Sequence, residues 1–305
     1  MNTESRPGRA LLWLLAIPLM ACVISPPLYW AGSSLADAGW LPVVKDFPFH
    51  RYFSRSVQIS ALLVLWPLVR SLGVRRASDL GLGKNPAFLR DGLTGFAVAL
   101  ASVGVMGSIL MLLGWLEWRP SPHPAGLFRI FATAWTVSIL EELVFRGVLL
   151  GLLLRSLGAI PAVLISSGAF AVVHFLKTSR QPLDGAVGWT SGFEQLPLVF
   201  SSAPAWPVWA WALASLFLAG LILGFTTVRT RSLFLAIGIH AGWILGQQGL
   251  QWIAKSTIRP TDRLLPWIGP NVVSGAVPTG VLPLLAIAAS GLVLWLGLRT
   301  RPGSR

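Results

Sequence analysis

Long apolar stretches alternate along the chain with short polar or basic segments. A helix needs about 20 predominantly apolar residues to cross the hydrocarbon core of a bilayer, and eight stretches approach this length. They are Ala10–Trp30, Val57–Leu72, Gly92–Trp115, Leu127–Leu154, Ala159–Leu176, Trp206–Val228, Ser232–Ile253 and Gly280–Leu298. The chain shows no internal repeat and no linker between domains. We therefore predict an all-α fold, a polytopic transmembrane bundle of about eight helices, in which residues 1–305 form a single membrane domain.

The composition also indicates a membrane environment. Hydrophobic residues make up 54% of the chain and charged residues only 11%, whereas about a quarter of the residues of a soluble domain are charged. Lys and Arg number 24 against 11 Asp and Glu, an excess that in a soluble protein would favour nucleic acid as the partner. Here the basic residues lie between apolar stretches, as they do in membrane proteins. We expect the lipid bilayer as a partner and no nucleic acid.

The distribution of basic residues predicts the orientation. With the N-terminus in the cytoplasm, the inner segments hold 13 Lys and Arg and the longer outer segments hold 10. The positive-inside rule therefore favours both termini in the cytoplasm, and we expect the bacterial inner (cell) membrane. Cys22 is the single cysteine, which excludes an internal disulfide and a cysteine-based zinc site. The apolar stretch around it continues to Trp30, which favours an uncleaved helix over a lipoprotein signal.

Ionisable side chains inside the apolar stretches mark a candidate functional site, because each is costly at bilayer depth. Glu141, Glu142 and Arg146 lie in the fourth stretch, His174 in the fifth and His240 in the seventh. Glu142 and Arg146 are four residues apart and can pair on one helix face. Glu141 is turned about 100° away from Glu142 and remains available to accept a proton. Because each of these groups needs polar partners within the membrane, we expect them to meet.

The surroundings of the two histidines leave their roles open when each is taken alone. Phe170 lies one turn before His174 on the same helix face. His240 points away from a ridge of small residues suited to close helix packing, formed by Gly238, Gly242 and Gly246. An isolated histidine in an apolar helix is more often a buried hydrogen-bonding residue than a catalyst. Together with the glutamates, however, the histidines favour a shared site.

Three short motifs resemble those of the CAAX protease and bacteriocin-processing (CPBP) family of intramembrane glutamic-type endopeptidases. The segment Glu141–Arg146 is similar to its Glu-Glu-x-x-x-Arg motif, and Phe170–His174 is similar to Phe-x-x-x-His. His240 resembles the histidine of the third motif, His-x-x-x-Asn, but Ile244 stands in the place of the asparagine. The resemblance covers a core of about residues 127–253, with the motifs in the family's order.

This resemblance implies hydrolysis of a peptide bond by activated water, without a covalent acyl-enzyme. Glu141 is then the general base, His174 helps to hold and polarise the water, and His240 donates to the developing oxyanion. The supporting residues implied around the base are Glu142, Arg146 and Phe170. The implied substrate is a membrane-associated peptide or protein, whether lipidated, bacteriocin-like or a sorting signal.

The use of a metal is left open by the residues themselves. Two histidines and a carboxylate also form an acceptable catalytic zinc set, which here consists of Glu141, His174 and His240. No His-Glu-x-x-His motif occurs, and the three ligands come from separate helices. We therefore expect metal-free chemistry with no cofactor, and Zn²⁺ is the alternative.

Two other classes of function remain as alternatives. A proton-coupled transporter could use the carboxylates and histidines as a relay, although such proteins more often show paired, interrupted helices in two related halves. A non-catalytic membrane scaffold or immunity protein could share the same fold. The substitution at Ile244 is the feature that best supports this second alternative.

Overall fold

The computed structural model describes residues 7–71, 76–83, 85–120, 124–175, 185–198, 205–257, 265–269 and 279–299. The α-helices of these residues are α1 (Pro7–Asp37), α2 (Phe49–Ser71), α3 (Phe88–Leu112), α4 (Pro124–Glu142), α5 (Gly151–Ser156), α6 (Ala159–Val173), α7 (Ser191–Leu198), α8 (Trp206–Thr230), α9 (Phe234–Ile253) and α10 (Val281–Arg299). Two single 3₁₀ turns are Pro42–Val44 and Ala77–Leu80.

Every predicted apolar stretch contains a helix, so the all-α bundle of about eight helices is confirmed. The predicted ends Leu72 and Leu176 lie outside the described residues. In the fourth stretch, α4 passes into a π-helical segment, Leu143–Leu150, which continues into α5. The hydrophobic pattern did not predict this segment, because a change from i→i+4 to i→i+5 hydrogen bonding leaves an apolar sequence unaltered.

The chain is an integral membrane protein, and its helices differ in how well they suit a bilayer. Within the described part of the chain, five helices are long and apolar enough to span by themselves: Leu15–Asp37, Phe49–Arg70, Phe88–Leu112, Trp206–Thr230 and Val281–Arg299. They belong to α1, α2, α3, α8 and α10. The helices α4, α6 and α9 are not among them, and these three carry or border the predicted site residues.

The residues group into two compact units, of which the first comprises Met1–Arg75 and Phe175–Ala203. In this unit α1 packs along α2, and α7 packs against α1. A Cβ atom at Gly192 would overlap the backbone of Cys22, so α7 approaches α1 closely. The short α7 was not predicted, because its eight residues form no long apolar run.

The second unit comprises Arg76–His174 and Pro204–Arg305, and its central contact is between α3 and α9. A Cβ atom at Gly242 would lie 2.5 Å from the carbonyl oxygen of Phe96, and one at Gly238 would overlap the carbonyl oxygen of Gly92. The glycine ridge of α9 therefore lies directly on α3. The helix α9 also contacts α4 and α8, while α6 packs on α8 and α10 packs on α3 and α8.

Two short strands follow α3 and α9 and pair with each other. Strand β1 (Leu116–Trp118) pairs antiparallel with β2 (Ala254–Ser256), with Leu116 opposite Ser256. Lys255 Nζ lies 2.9 Å from Glu117 Oε1 across this pair. Strands of three residues give no recognisable alternation in the sequence, so they were not predicted.

Two sequence-based interpretations stay predictions. One is the single membrane domain over residues 1–305, and the other is the cytoplasmic location of both termini. The terminal basic residues on which the orientation partly depends, Arg6, Arg301 and Arg305, lie outside the described residues.

Candidate active site

A buried ion pair lies at the junction of α4 and the π-helical segment. Arg146 Nη1 is 3.0 Å from Glu142 Oε1, and neither side chain has any exposed surface. Arg146 Nη2 also donates to the carbonyl oxygen of Gly220 on α8, at 3.3 Å. The pair expected from the four-residue spacing is thus present. It compensates the arginine charge in a low dielectric, where an unpaired charge is strongly destabilising.

Glu142 also contacts His240, which lies 98 residues further along the chain. His240 Nδ1 is 2.8 Å from Glu142 Oε1. The carboxylate that pairs with Arg146 is an acceptor, so Nδ1 of His240 carries a proton and donates it. His240 Nε2 then faces Glu141, 3.8 Å from its Oε2 atom. The glutamate that was predicted to pair with Arg146 and to support the base therefore also orients a histidine.

His174 is oriented by the backbone at the end of α6. Its Nδ1 atom lies 2.7 Å from the carbonyl oxygen of Phe170. A carbonyl oxygen can only accept, so Nδ1 carries the proton and Nε2 is left with a lone pair when the ring is neutral. His174 Nε2 lies 3.6 Å from Glu141 Oε2. Both histidines thus present Nε2 to the same carboxylate oxygen.

The ring of Phe170 fills the space between these groups and is only 2% exposed. Its centroid lies 4.5 Å from that of the His174 ring and 5.8 Å from that of the His240 ring. The Arg146 guanidinium lies 4.3 Å from the same centroid, within the range of a cation–π contact. Phe170 therefore packs against both histidines and the arginine at once.

Glu141 differs from its neighbour Glu142 in its surroundings. Its side chain is 30% exposed, whereas that of Glu142 is 0% exposed. Glu141 Oε2 is itself buried and accepts no hydrogen bond from the described residues. Hence Arg146 and His240 both donate to Glu142 Oε1, whereas no described residue donates to Glu141 Oε2.

A cavity of about 240 Å³ adjoins these groups. Glu141, His174 and His240 all line it, together with side chains from α3, α8 and α10 that are mostly aliphatic. Ile244 lines the same cavity, and its side chain offers no hydrogen-bond donor. The three predicted catalytic residues are thus brought together at one apolar cavity inside the second unit.

Within the residues that the structure describes, no group of three or more His, Cys, Asp or Glu side chains is arranged to hold a metal ion. Both the metal-free expectation and its zinc alternative at Glu141, His174 and His240 stay predictions.

Fold and site together define a class: a polytopic α-helical membrane protein with a buried glutamate, arginine and histidine site beside an apolar cavity. Residues 123–245 match the family described as type II CAAX prenyl endopeptidase Rce1-like. This match confirms the predicted resemblance to CPBP proteases over the motif-bearing segment. The match supports an intramembrane peptidase activity of the CAAX type in general. Neither the curated proteins nor the solved structures compared with the chain gave a match.

Neither Trp243 nor Ser215 was predicted as a site residue from the sequence. Trp243 lies three residues after His240, a spacing that places both on one face of α9, and Ser215 lies within the apolar α8. Both line the cavity. The spacing from His240 was a usable signal for Trp243, whereas a serine in an apolar helix most often bonds to its own backbone and gave no signal.

Proposed function

We propose that the protein is an intramembrane endopeptidase that hydrolyses a peptide bond with water activated by Glu141. The observation that carries this proposal is the approach of two imidazole Nε2 atoms to Glu141 Oε2, at 3.6 and 3.8 Å. A carboxylate with available lone pairs, flanked by two oriented imidazoles, suits the binding and deprotonation of water. The match to a peptidase family supports the same reaction.

The two adjacent glutamates take different roles because their partners differ. Glu142 Oε1 accepts hydrogen bonds from Arg146 and His240 and so positions both. Glu141 lines the cavity, and its Oε2 atom has no hydrogen-bond partner among the described residues. We assign Glu141 as the general base and Glu142 and Arg146 as positioning residues. Phe170 supports the histidines by packing.

The hydrogen bonds of the two histidines suggest a different role in the reaction for each. With Nδ1–H donated to Phe170, neutral His174 offers Nε2 as an acceptor that holds the attacking water. His240 donates Nδ1–H to Glu142, so it can donate from Nε2 only as an imidazolium. We assign His240 as a donor to the developing oxyanion.

The substrate in this proposal is a membrane-associated peptide or protein, which includes lipidated chains, bacteriocin-like peptides and sorting signals. The aliphatic lining of the cavity suits an apolar peptide segment. The proposal places the enzyme in the bacterial inner membrane with both termini in the cytoplasm, and it includes no cofactor and no nucleic acid.

Proteolysis by the purified protein in lipid vesicles tests the proposal. The substrates are a prenylated peptide with a C-terminal cysteine motif and an unlipidated transmembrane peptide, in water enriched in ¹⁸O. We expect cleavage of at least one, with one ¹⁸O atom in the new carboxylate. Glu117→Gln is the control, because Glu117 is exposed on β1 and lines no part of the cavity. A transporter or a scaffold would cleave neither peptide.

A further inference from the structure

Three residues that line the cavity each have a buried polar atom without a hydrogen-bond partner among the described residues. These atoms are Glu141 Oε2, Ser215 Oγ and Trp243 Nε1. A carboxylate oxygen accepts, an indole N–H only donates, and a serine hydroxyl can donate. The cavity that adjoins the proposed base is therefore lined by two residues whose donor groups bond to no other described residue.

Peptide hydrolysis needs such donors. As water adds to the carbonyl carbon, negative charge develops on the carbonyl oxygen, and fixed donors aimed at that oxygen lower the barrier. Both terminal nitrogens of Arg146 donate to Glu142 and Gly220, and each histidine Nδ1–H donates to its own acceptor. His240 Nε2 can donate only from the doubly protonated ring.

We propose that the Trp243 indole N–H and the Ser215 hydroxyl donate hydrogen bonds to the carbonyl oxygen of the scissile peptide bond, beside His240. This rests on the proposed function and adds to it the part of the site that binds the oxyanion. The chemistry balances without a further reactant. Glu141 takes one proton from water as the new carbon–oxygen bond forms, and it returns that proton to the leaving amine as the carbon–nitrogen bond breaks.

The positions of both donors are fixed by packing. Trp243 follows Gly242, whose contact with the Phe96 carbonyl places α9 directly on α3. Its ring packs against two hydrophobic clusters of the second unit. Ser215 is fully buried in α8, the helix whose Gly220 carbonyl accepts from Arg146. Donors fixed in this way need no reorganisation during the reaction, which is the condition under which they lower a barrier most.

Two substitutions remove the donors while keeping most of the packing: Trp243→Phe and Ser215→Ala. We expect kcat to fall on the order of 10- to 100-fold in each, with KM within about twofold, because the bonds strengthen in the transition state. Affinity for a peptide phosphinate that mimics the tetrahedral intermediate should fall by a similar factor. Ser215→Thr, which keeps a hydroxyl, should retain most of the activity.

The matched controls are Trp135→Phe and Ser60→Ala. Both parent side chains have a buried polar atom with no hydrogen-bond partner in the described structure, yet neither lines the cavity. Their kcat should stay within about twofold of wild type. Unchanged kcat in both Trp243→Phe and Ser215→Ala, in an active enzyme, would overturn this inference alone. A loss confined to KM or to thermal stability would overturn it as well. A wild-type protein that cleaves nothing would remove the proposed function, and the inference with it.

Discussion

The second unit contains two kinds of helix, and the difference between them explains where the site lies. The helices α3, α8 and α10 are long and apolar enough to cross a bilayer by themselves. In contrast, α4 ends in two glutamates, α6 has 15 residues, and α9 carries His240 and several glutamines. The helices that carry or border Glu141, His174 and His240 are thus not among those long and apolar enough to span by themselves.

The site helices are held by contacts with the spanning helices. Arg146 reaches the Gly220 carbonyl on α8, and the glycine ridge of α9 lies on α3. Lipid tails are as apolar as leucine, so helices in a bilayer associate through close packing and polar contacts rather than through hydrophobic burial. We infer that changes at these contacts affect stability far more than apolar changes on the spanning helices.

The largest loss of stability should follow removal of one partner of the buried ion pair. Arg146→Ala leaves Glu142 without its guanidinium partner, and Glu142→Ala leaves Arg146 as an uncompensated buried charge. Each should cost about 3–5 kcal/mol, measured by unfolding in mixed micelles. The double variant should lose less than the sum of the two, because the pair interacts directly. Strictly additive losses would show that the pair contributes nothing as a pair.

A smaller loss of stability should follow a substitution that adds a side chain at the close contact between α9 and α3. A Cβ atom at Gly242 would lie 2.5 Å from the Phe96 carbonyl oxygen and 2.9 Å from Ala99 Cβ. Gly242→Ala should therefore cost about 1–3 kcal/mol as overpacking. Gly249→Ala is the control on the same helix, because nothing lies within 4 Å of its Cβ position, and it should be neutral or slightly stabilising. Equal effects at the two glycines would mean that this packing is unimportant.

Apolar changes on a spanning helix should matter less. On α10, Leu294 is 5% exposed and Leu292 is 56% exposed. In a soluble core, truncation of a buried leucine to alanine costs about 2–5 kcal/mol. Here the transfer part of that cost is absent, because lipid replaces water, so Leu294→Ala should cost below about 2 kcal/mol. Leu292→Ala should be within about 0.5 kcal/mol of wild type. If Leu294→Ala lowered the free energy of unfolding more than Arg146→Ala does, the polar contacts of the site helices would not be the main source of stability.

Treatment with a metal chelator is expected to leave the activity unchanged. If Glu141 and the histidines activate water unaided, prolonged chelation and dialysis should leave the cleavage rate unchanged. If zinc is bound instead, chelation should inactivate the enzyme and added zinc should restore it. Stoichiometric zinc that is lost in both His174→Ala and His240→Ala would replace the metal-free mechanism, although the same residues would form the site.

The helices could be predicted from the sequence because a bilayer requires long apolar runs, whose length is visible without any knowledge of packing. The elements that the sequence did not predict were missed for physical reasons. The π-helical segment Leu143–Leu150 depends on hydrogen-bond register, and strands β1 and β2 depend on pairing between distant loops. Neither property leaves a pattern in an apolar sequence.

Part of the site could be predicted from the sequence because it depends on local helical geometry. The spacing of Glu142 and Arg146 along one helix predicted their contact, since helical geometry is local. The contact of Glu142 with His240 depends on how α4 and α9 pack, and no spacing encodes it. The roles proposed for Ser215 and Trp243 likewise depend on a cavity formed by several helices.

The central claim is that Glu141 is the base that activates water, and Glu141→Gln tests it most directly. The variant keeps the size of the side chain but removes the proton acceptor, and Glu141 takes no part in the Arg146 pair. Cleavage of the best substrate, followed by mass spectrometry in lipid vesicles, should slow at least about 100-fold, while thermal unfolding stays close to wild type. A variant that folds normally and keeps more than about a tenth of the wild-type rate would contradict the account.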